Sequence, residues 1–180
     1  IGRLKYITIF VSVKQLKTNK MGYTHYLNIE KKALTKDEFC KVAFDMKLIE
    51  QHLNDNDIQL GDWEGETEGV EFDFNELNVE AFRFNGIKEN SHETFSLKIG
   101  DEGFSFCKTA RKEYDIAVCL ILLSVKYHVR RAKISSDGDN EDWNPAFDLF
   151  KTIFPMRSKT FKFSDWIENS KKNDGSLAIV

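Results

Sequence analysis

Residues 109–130, TARKEYDIAVCLILLSVKYHVR, contain the longest apolar run of the chain. From Ile116 to Leu123 every side chain is apolar, so a helix formed here is apolar on all of its faces. Such a helix belongs in a protein core, packed across a sheet. It is also shorter than the about 20 apolar residues that a membrane helix needs. We therefore predict a buried central helix from about Thr109 to Arg130 and no membrane span.

The segments on both sides of this helix alternate as strands do. Residues 23–31, YTHYLNIEK, predict a strand that places His25 and Leu27 on one face and Tyr26 on the other. From Ile58 to Phe106, short apolar runs are separated by Gly, Asn and Asp, which predicts an antiparallel meander. Residues 132–137, AKISSD, predict one more short strand.

Two further helices complete the pattern. Thr35 followed by Glu38 is a capping box and predicts a helix from Lys36 to about Leu53. Asn144 and Pro145 suit the cap and first position of a later helix. The tail after that helix predicts an added strand or short helix with a frayed end. The chain therefore reads as an α+β fold: a mainly antiparallel sheet with about three helices on one face, one of them central and buried.

Size and charge favour one compact domain. The chain has 180 residues, of which 41% are hydrophobic and 31% charged, enough for one core but short for two. The net charge is −3, and the first twenty residues contain five cations and no acid, so residues 21–180 are more acidic still. An acidic body is a poor general nucleic-acid binder, and we expect no nucleic-acid partner.

Three cysteines without a CxxC pair predict reduced thiols and a cytoplasmic protein. Residues 1–20 do not begin with Met, whereas Met21 opens the next segment. The apolar run ITIFVSV within them could be an added strand or a secretory signal, but no small-residue cleavage site follows it. We favour an N-terminal extension or added strand for residues 1–20 and a single domain for 21–180.

The block FCKTARK places three cations at the predicted start of the buried helix. If Thr109 caps that helix, the free N–H groups of its first turn attract an anion. The positive charges of Lys108, Arg111 and Lys112 are unfavourable at the same place unless an anion pairs with them. A phosphate or carboxylate ligand would do so. Alternatively, acids of the same chain answer the cations, or the helix begins later, at Asp115. The candidate acids are Glu93, Asp137 and Asp139.

Four other residues are candidates for chemistry. Positive charge lowers a thiol pKa, so Cys107 could be a nucleophile, although we favour a buried structural cysteine at this position. His92 and Glu93 suit a general acid/base pair, and His25 could join them, or all three could belong to a hydrogen-bonded network that fixes the sheet ends. Neither histidine has a partner at HxH or HExxH spacing, so we expect no metal site here.

The acidic run SSDGDNEDWNPAFD partly matches a calcium loop. Asp137, Asp139, Glu141 and Asp148 fall at positions one, three, five and twelve, but Asp142 stands where that loop needs glycine. A turn that leads into a helix explains the same acids, because they favour a helix N-terminus. We therefore expect no calcium site.

Four segments together resemble a family of small uncharacterised bacterial and phage proteins. The segments are MGYTHY at 21–26, FNGIKENSHETF at 84–95, GFSFCKTARKEYD at 103–115 and SSDGDNEDWNPA at 135–146. Family members begin MGYTHYW and carry FNG…HETF, FCKTARKPYD and a late SDGDW-like block, so this chain departs at Leu27, Glu113 and Trp143. The resemblance implies Met21 as the start and a shared site, but no established activity.

Taken together, the sequence predicts one site for a small anionic ligand, phosphate-like or nucleotide-like. Its cations would pair the anion, and a tyrosine would stack on a ring. Whether the ligand is turned over, by hydrolysis or group transfer, is left open. The rival interpretation is a non-catalytic module that binds a partner protein through exposed tryptophans. The predicted ligand-binding residues are His25, Tyr26, Lys108, Arg111, Lys112, Tyr114 and Asp137; the predicted catalytic residues are His92, Glu93 and Cys107; the tryptophans are Trp63, Trp143 and Trp166.

Overall fold

The computed structural model describes residues 22–75 and 78–158 and the backbone of 167–169. Within these ranges, helices combine with mainly antiparallel strands, which confirms the predicted α+β class. The strands are β1 (Thr24–Ile29), β2 (Leu60–Gly61), β3 (Glu71–Asn75), β4 (Asn78–Gly86), β5 (Phe95–Lys98), β6 (Gly103–Lys108), β7 (Ala132–Ser136) and β8 (Ile167–Asn169). The helices are α1 (Lys36–Asn54), α2 (Asp115–His128), α3 (Asn140–Ile153) and the single turn α4 (Pro155–Ser158).

The strands form two sheets where the sequence suggested one. In the first sheet the order is β6-β1-β7-β8, antiparallel except for the parallel pair β7 and β8. In the second, β4 pairs antiparallel with β2, β3 and β5. The predicted meander therefore holds for β3, β4 and β5, whereas β6 leaves it to pair with β1.

A turn at Lys98–Gly103 carries the chain from one sheet to the other. Two backbone hydrogen bonds join this turn to Leu34, from Leu34 N to Asp101 O at 2.8 Å and from Gly100 N to Leu34 O at 2.9 Å. Leu34 is itself buried in the segment that connects β1 to α1. The turn is thus held at the start of α1, and β6 continues beside β1.

The core lies between the helices and the two sheets. As predicted, α2 is buried on nearly all of its faces, from Ala117 to Val125. It packs against α1 and α3 on one side and against β1 and β7 on the other, while α1 covers β4. No helix in the described ranges combines the length and apolarity that a membrane span would require.

Helix α2 begins at Asp115, five residues later than a Thr109 cap would place it. Ala110 and Arg111 have φ values of 51° and 57°, in the left-handed region, so neither can belong to a right-handed first turn. The Thr109 hydroxyl donates to the Asp115 carboxylate and does not cap a backbone N–H. The alternative that leaves the three cations on a loop before the helix is therefore confirmed.

Helix α3 begins earlier than predicted, because its cap is Asp139 and not Asn144. The Asp139 carboxylate accepts from the N–H groups of Glu141 and Asp142, and the Asp142 carboxylate accepts in return from Asp139 N. This capping box starts the helix five residues before Pro145. Pro145 then lies within the second turn, where its lack of an N–H removes one hydrogen bond.

Candidate functional site

The predicted site residues divide between two faces of the first sheet. His25 and Cys107 are opposite each other in the β1–β6 register, and both are buried on the face that α2 covers. Tyr26 follows His25 and Lys108 follows Cys107 by one position, so both side chains point to the other face of the sheet. The predicted residues therefore do not line one common pocket, although three of the four sequence blocks lie on neighbouring strands.

On the inner face, His25 is part of a buried polar cluster with two residues of α2. His25 Nε2 lies 2.8 Å from Asp115 Oδ1 and 3.6 Å from Cys119 Sγ. The same Asp115 oxygen accepts from the Thr109 hydroxyl. Burial, together with the negative charge of Asp115, raises the pKa of the Cys119 thiol well above its usual range. This His–Asp–Cys cluster joins β1 to the first two turns of α2.

Aromatic rings enclose the cluster. The rings of Tyr23 and Trp143 meet the imidazole of His25 edge-on, with centroids 5.0 and 5.2 Å away. Gly138 permits this packing, because a Cβ at that position would lie 2.2 Å from the Tyr23 hydroxyl oxygen. Trp143 is fully buried, so its predicted role on an exposed partner surface is wrong.

Residues 108–112 form a tight loop above this cluster, called the cation loop below. The N–H groups of Thr109 and Ala110 both donate to the carbonyl of Tyr23, at 3.0 and 3.3 Å. Lys112 N closes the turn on Thr109 O at 3.0 Å. Ala110 and Arg111 hold left-handed conformations that cost a residue with a Cβ roughly 1–2 kcal/mol each. The loop is therefore strained and firmly anchored.

Each cation of the loop has a partner within the protein. Lys108 Nζ is 3.7 Å from Glu93 Oε1, and Lys112 Nζ donates to the Glu89 carbonyl at 2.8 Å. Arg111 donates through both terminal nitrogens to Asp142, at 2.8 and 3.3 Å, and its guanidinium lies 3.9 Å from the centroid of the Tyr23 ring. The pairing of Lys108 with Glu93 is one of the alternatives that the sequence left open, whereas the pairing of Arg111 with Asp142 was not predicted.

His92 and Glu93 close the loop between β4 and β5 and hold it against β6. Asn85 Oδ1 accepts from His92 N at 2.9 Å, and the Asn85 amide donates to His92 O at 3.2 Å. The Glu93 carboxylate accepts from Lys108 N at 2.8 Å, and His92 Nδ1 is 2.8 Å from Lys108 O. The FNG and SHETF blocks thus support the cation loop through hydrogen bonds.

Cys107 and Tyr114 lie too deep for the roles that the sequence suggested. Burial, and then the charge of Glu93, raises the pKa of Cys107 to about 12, which disfavours a thiolate nucleophile. Tyr114 is fully buried and its hydroxyl donates to the carbonyls of Glu93 and Lys108. Its ring is therefore not available to stack on a ligand in this conformation.

Asp137 and the neighbouring acids have structural partners. The Asp137 carboxylate accepts from Thr24 N at 3.0 Å and from the Tyr26 hydroxyl at 3.2 Å. Asp139 caps α3, and Asp148 pairs with Lys151 on the surface of the same helix. These contacts explain the acidic run as a strand-to-helix connection.

Beside Tyr26, the outer face of β6 presents two exposed aromatic side chains. Phe104 is 65% exposed and Phe106 is 54% exposed, and the Phe104 ring stacks on Tyr26 with centroids 5.9 Å apart. Strand β6 is also an edge strand of its sheet among the described residues. Trp63 is exposed as well, whereas Trp166 lies outside the described residues.

A small cavity of about 150 Å³ lies between β5 and β6. It is lined on one side by His25 and Cys107 and on the other by Thr94 and Ser96, and no lysine or arginine contributes to it. The cavity thus contacts the His–Asp–Cys cluster at His25, and the cations of the loop do not line it.

Sequence reasoning missed Thr109, Asp115 and Cys119 as members of the cluster. Asp115 and Cys119 are four residues apart, which places them on one face of a helix. That spacing was available in the sequence, but their partner His25 is 90 residues away from Asp115.

No protein-family model matches this sequence, and neither curated proteins nor solved structures show a significant match to it.

Proposed function

We propose that the cation loop binds a small anionic ligand, a phosphate or a nucleotide-like compound. The observation that carries the proposal is the pair of left-handed residues Ala110 and Arg111, neither of which is glycine. Such strain persists only where the surrounding structure enforces it, and it concentrates at ligand-binding and catalytic sites. Here the strain presents the Arg111 side chain at the surface.

Arg111 has the chemistry to bind an oxyanion while it keeps its present contacts. A guanidinium carries five N–H donors in a planar fork, and Asp142 accepts from one on each terminal nitrogen. Its remaining donors suit two oxygens of one phosphate or carboxylate. The Tyr23 ring under the guanidinium and the Asp142 carboxylate beside it hold the side chain in place.

Lys108 and Lys112 would contribute the remaining charge. The Lys108 ammonium is half-exposed and only loosely paired with Glu93, a contact worth roughly 0–1 kcal/mol. A ligand anion can therefore replace Glu93 as the partner of the Lys108 ammonium at little cost, while the Glu93 carboxylate keeps its hydrogen bond from Lys108 N. Because the acids of the protein already neutralise part of the loop, we expect modest affinity that weakens as the salt concentration rises.

Turnover of the ligand, as a hydrolase or transferase, is a further part of the proposal. His92 supports it, since the ring is exposed beside Lys108 and its orientation is held by the Lys108 carbonyl. An oriented, solvent-accessible imidazole suits general acid/base chemistry. Glu93 would position the Lys108 backbone, and Cys107 would have no nucleophilic role.

A thermal-shift titration tests ligand binding. Inorganic phosphate, pyrophosphate and a panel of nucleotides are added to the wild-type protein and to Arg111→Ala, with Arg130→Ala as an exposed-arginine control. We expect at least one phosphate compound to raise the melting temperature of the wild type and of the control but not of Arg111→Ala. If no phosphate compound stabilises the wild type, or if Arg111→Ala responds like the control, the proposal is wrong.

The second candidate function is binding of a partner protein along β6. It is favoured by one specific observation, the exposed pair Phe104 and Phe106 on a strand that lies at the edge of its sheet among the described residues. Edge strands with exposed aromatics accept an added strand from a partner. A photo-crosslinking residue in place of Phe104 tests this, with the similarly exposed Phe74 position as control; equal labelling from both positions would contradict it.

A further inference from the structure

The His–Asp–Cys cluster brings three different donor atoms to one point inside the protein. They come from two elements: His25 lies on β1, and Asp115 and Cys119 lie one turn apart on α2. Their ligand atoms all lie within 4.8 Å of one another. His25 and Cys119 are buried, while the Asp115 side chain is 22% exposed. An ion could therefore reach the cluster past Asp115.

We propose that His25, Asp115 and Cys119 bind a single divalent zinc ion. The three ligand atoms are close enough together to share one ion. With zinc-ligand bonds of the usual length, neighbouring ligand atoms lie about 3.3 to 3.6 Å apart. Here the imidazole nitrogen is 3.6 Å from the Cys119 sulfur and 2.8 Å from an Asp115 oxygen, and the sulfur is 4.0 Å from the other carboxylate oxygen. Small side-chain adjustments would suffice to admit the ion.

The arrangement differs from a Cys–His–Asp catalytic triad in one decisive respect. A triad uses both ring nitrogens, one toward the nucleophile and one toward the carboxylate. Here the carboxylate and the thiol approach the same nitrogen, Nε2, whereas Nδ1 has no hydrogen-bond partner among the described residues. A single Nε2–H would have to be shared between the two groups. Convergence of three donors on a shared point is the arrangement of metal ligands.

The donor set suits zinc in particular. Imidazole nitrogen, carboxylate oxygen and thiolate sulfur are the three ligand types that zinc accepts, and the sulfur disfavours magnesium and calcium. A carboxylate and a thiolate also balance the double positive charge in a buried place. The Thr109 hydroxyl, which donates to Asp115, would orient that carboxylate as outer-shell groups do in zinc sites.

Three protein ligands leave a fourth position for water or a ligand. Structural zinc sites are closed by four protein ligands, whereas sites with three keep one open position. His25 also lines the cavity between β5 and β6, so solvent-sized molecules can approach that side of the cluster. The three proposed ligands lie outside the cation loop, so either proposal can fail without the other.

Metal titration of the purified, tag-free protein tests the inference. After treatment with a chelator, the protein is titrated with Zn²⁺, and Co²⁺ is used as a spectroscopic probe because cobalt bonded to a thiolate absorbs in the near ultraviolet. We expect one ion per chain and a thiolate band that Cys119→Ser abolishes. The variants Cys40→Ser and Cys107→Ser remove the other thiols and serve as matched controls that keep the band.

The outer shell offers a milder variant. Thr109→Val keeps all three ligands but removes the hydroxyl, and we expect zinc affinity to fall roughly 10- to 100-fold. A wild-type cobalt spectrum without a thiolate band overturns the inference, as does a band that survives Cys119→Ser or disappears in Cys40→Ser. Circular dichroism establishes that each variant folds. If Cys119→Ser does not fold, the test rests on the cobalt spectrum and metal stoichiometry of the wild type and of the variants Cys40→Ser and Cys107→Ser.

Discussion

At the scale of single residues, the cation loop contains two consecutive residues, Ala110 and Arg111, in the left-handed region. Ala110 lies in the left-handed region although it has a Cβ and no polar side chain that could stabilise this conformation locally. Its N–H is bonded to the carbonyl of Tyr23, which anchors the loop to the residue before β1. The strain is therefore a property of the folded loop that a substitution can relieve.

We predict that Ala110→Gly stabilises the protein. Glycine adopts positive φ without the Cβ penalty, which relieves strain in the folded state. This gain exceeds the entropic cost of ordering a more flexible glycine on folding by about 0.5–1 kcal/mol. Ala33→Gly, in a connection with ordinary backbone angles, is the control and should be neutral or slightly destabilising. Urea unfolding of the three proteins measures the difference, and a loss of stability in Ala110→Gly would contradict the prediction.

At the scale of elements, the start of α1 is tied to the loop before β7. Glu38 completes the capping box with Thr35. Its carboxylate also accepts two hydrogen bonds from the Arg131 guanidinium, at 2.5 and 2.9 Å. Arg131 further donates to the carbonyls of Lys32 and Ala33, so one side chain closes the connection between β1 and α1. The cap predicted from the sequence is confirmed, whereas its partner 93 residues away was not foreseeable.

These contacts predict acid sensitivity. The hydrogen bonds from Arg131, followed by those of Thr35, lower the pKa of Glu38 to about 2, below the ordinary value of 4.5. A lowered pKa means that the stabilisation is complete above about pH 5 and is lost as pH falls toward 2. For this partly exposed pair we expect a contribution of about 2 kcal/mol to the free energy of unfolding at neutral pH.

Urea unfolding at pH 7 and pH 3 measures this loss. The variant Glu38→Gln cannot ionise, so it should be less stable than the wild type at pH 7, and the gap should narrow at pH 3. A gap of the same size at both pH values would show that Glu38 does not titrate as its contacts imply.

At the scale of the whole molecule, Asp45 joins three helices through a fully buried carboxylate. Burial alone would raise the pKa of Asp45, but hydrogen bonds from His128, Arg157 and Ser124 outweigh it and lower that pKa. Ser124 donates at 2.5 Å, His128 lies at 2.9 Å and Arg157 binds both carboxylate oxygens. The network connects the middle of α1 to the end of α2 and to α4.

We predict that Asp45→Asn is strongly destabilising, by about 3 kcal/mol or more, because it removes the countercharge of Arg157 in a buried place. Asp37→Asn on the same helix is the control. Its side chain is 76% exposed and pairs with Lys41 on the surface, so we expect a change of less than about 1 kcal/mol. Thermal and urea unfolding measure both, and similar losses for the two variants would contradict the prediction.

The sequence by itself determined the α+β class, the buried helix α2, the helix α1 with its cap, and strands β1 and β7. These features follow from local patterns, since apolar periodicity and capping residues act over a few positions. The same local reasoning failed at the two helix starts. Thr109 and Asn144 are good caps, but the Thr109 hydroxyl donates to Asp115, the first residue of α2, and Asp139 caps α3.

Only the tertiary structure decided which functional residues meet. It places His25 and Tyr26 on opposite faces of a sheet, buries Cys107, and brings His25 to Asp115 and Cys119 across 90 or more residues. It also pairs Arg111 with Asp142, 31 positions later. Side-chain periodicity specifies the face on which a residue lies but not the partner packed against that face, and that partner sets burial, charge and chemistry.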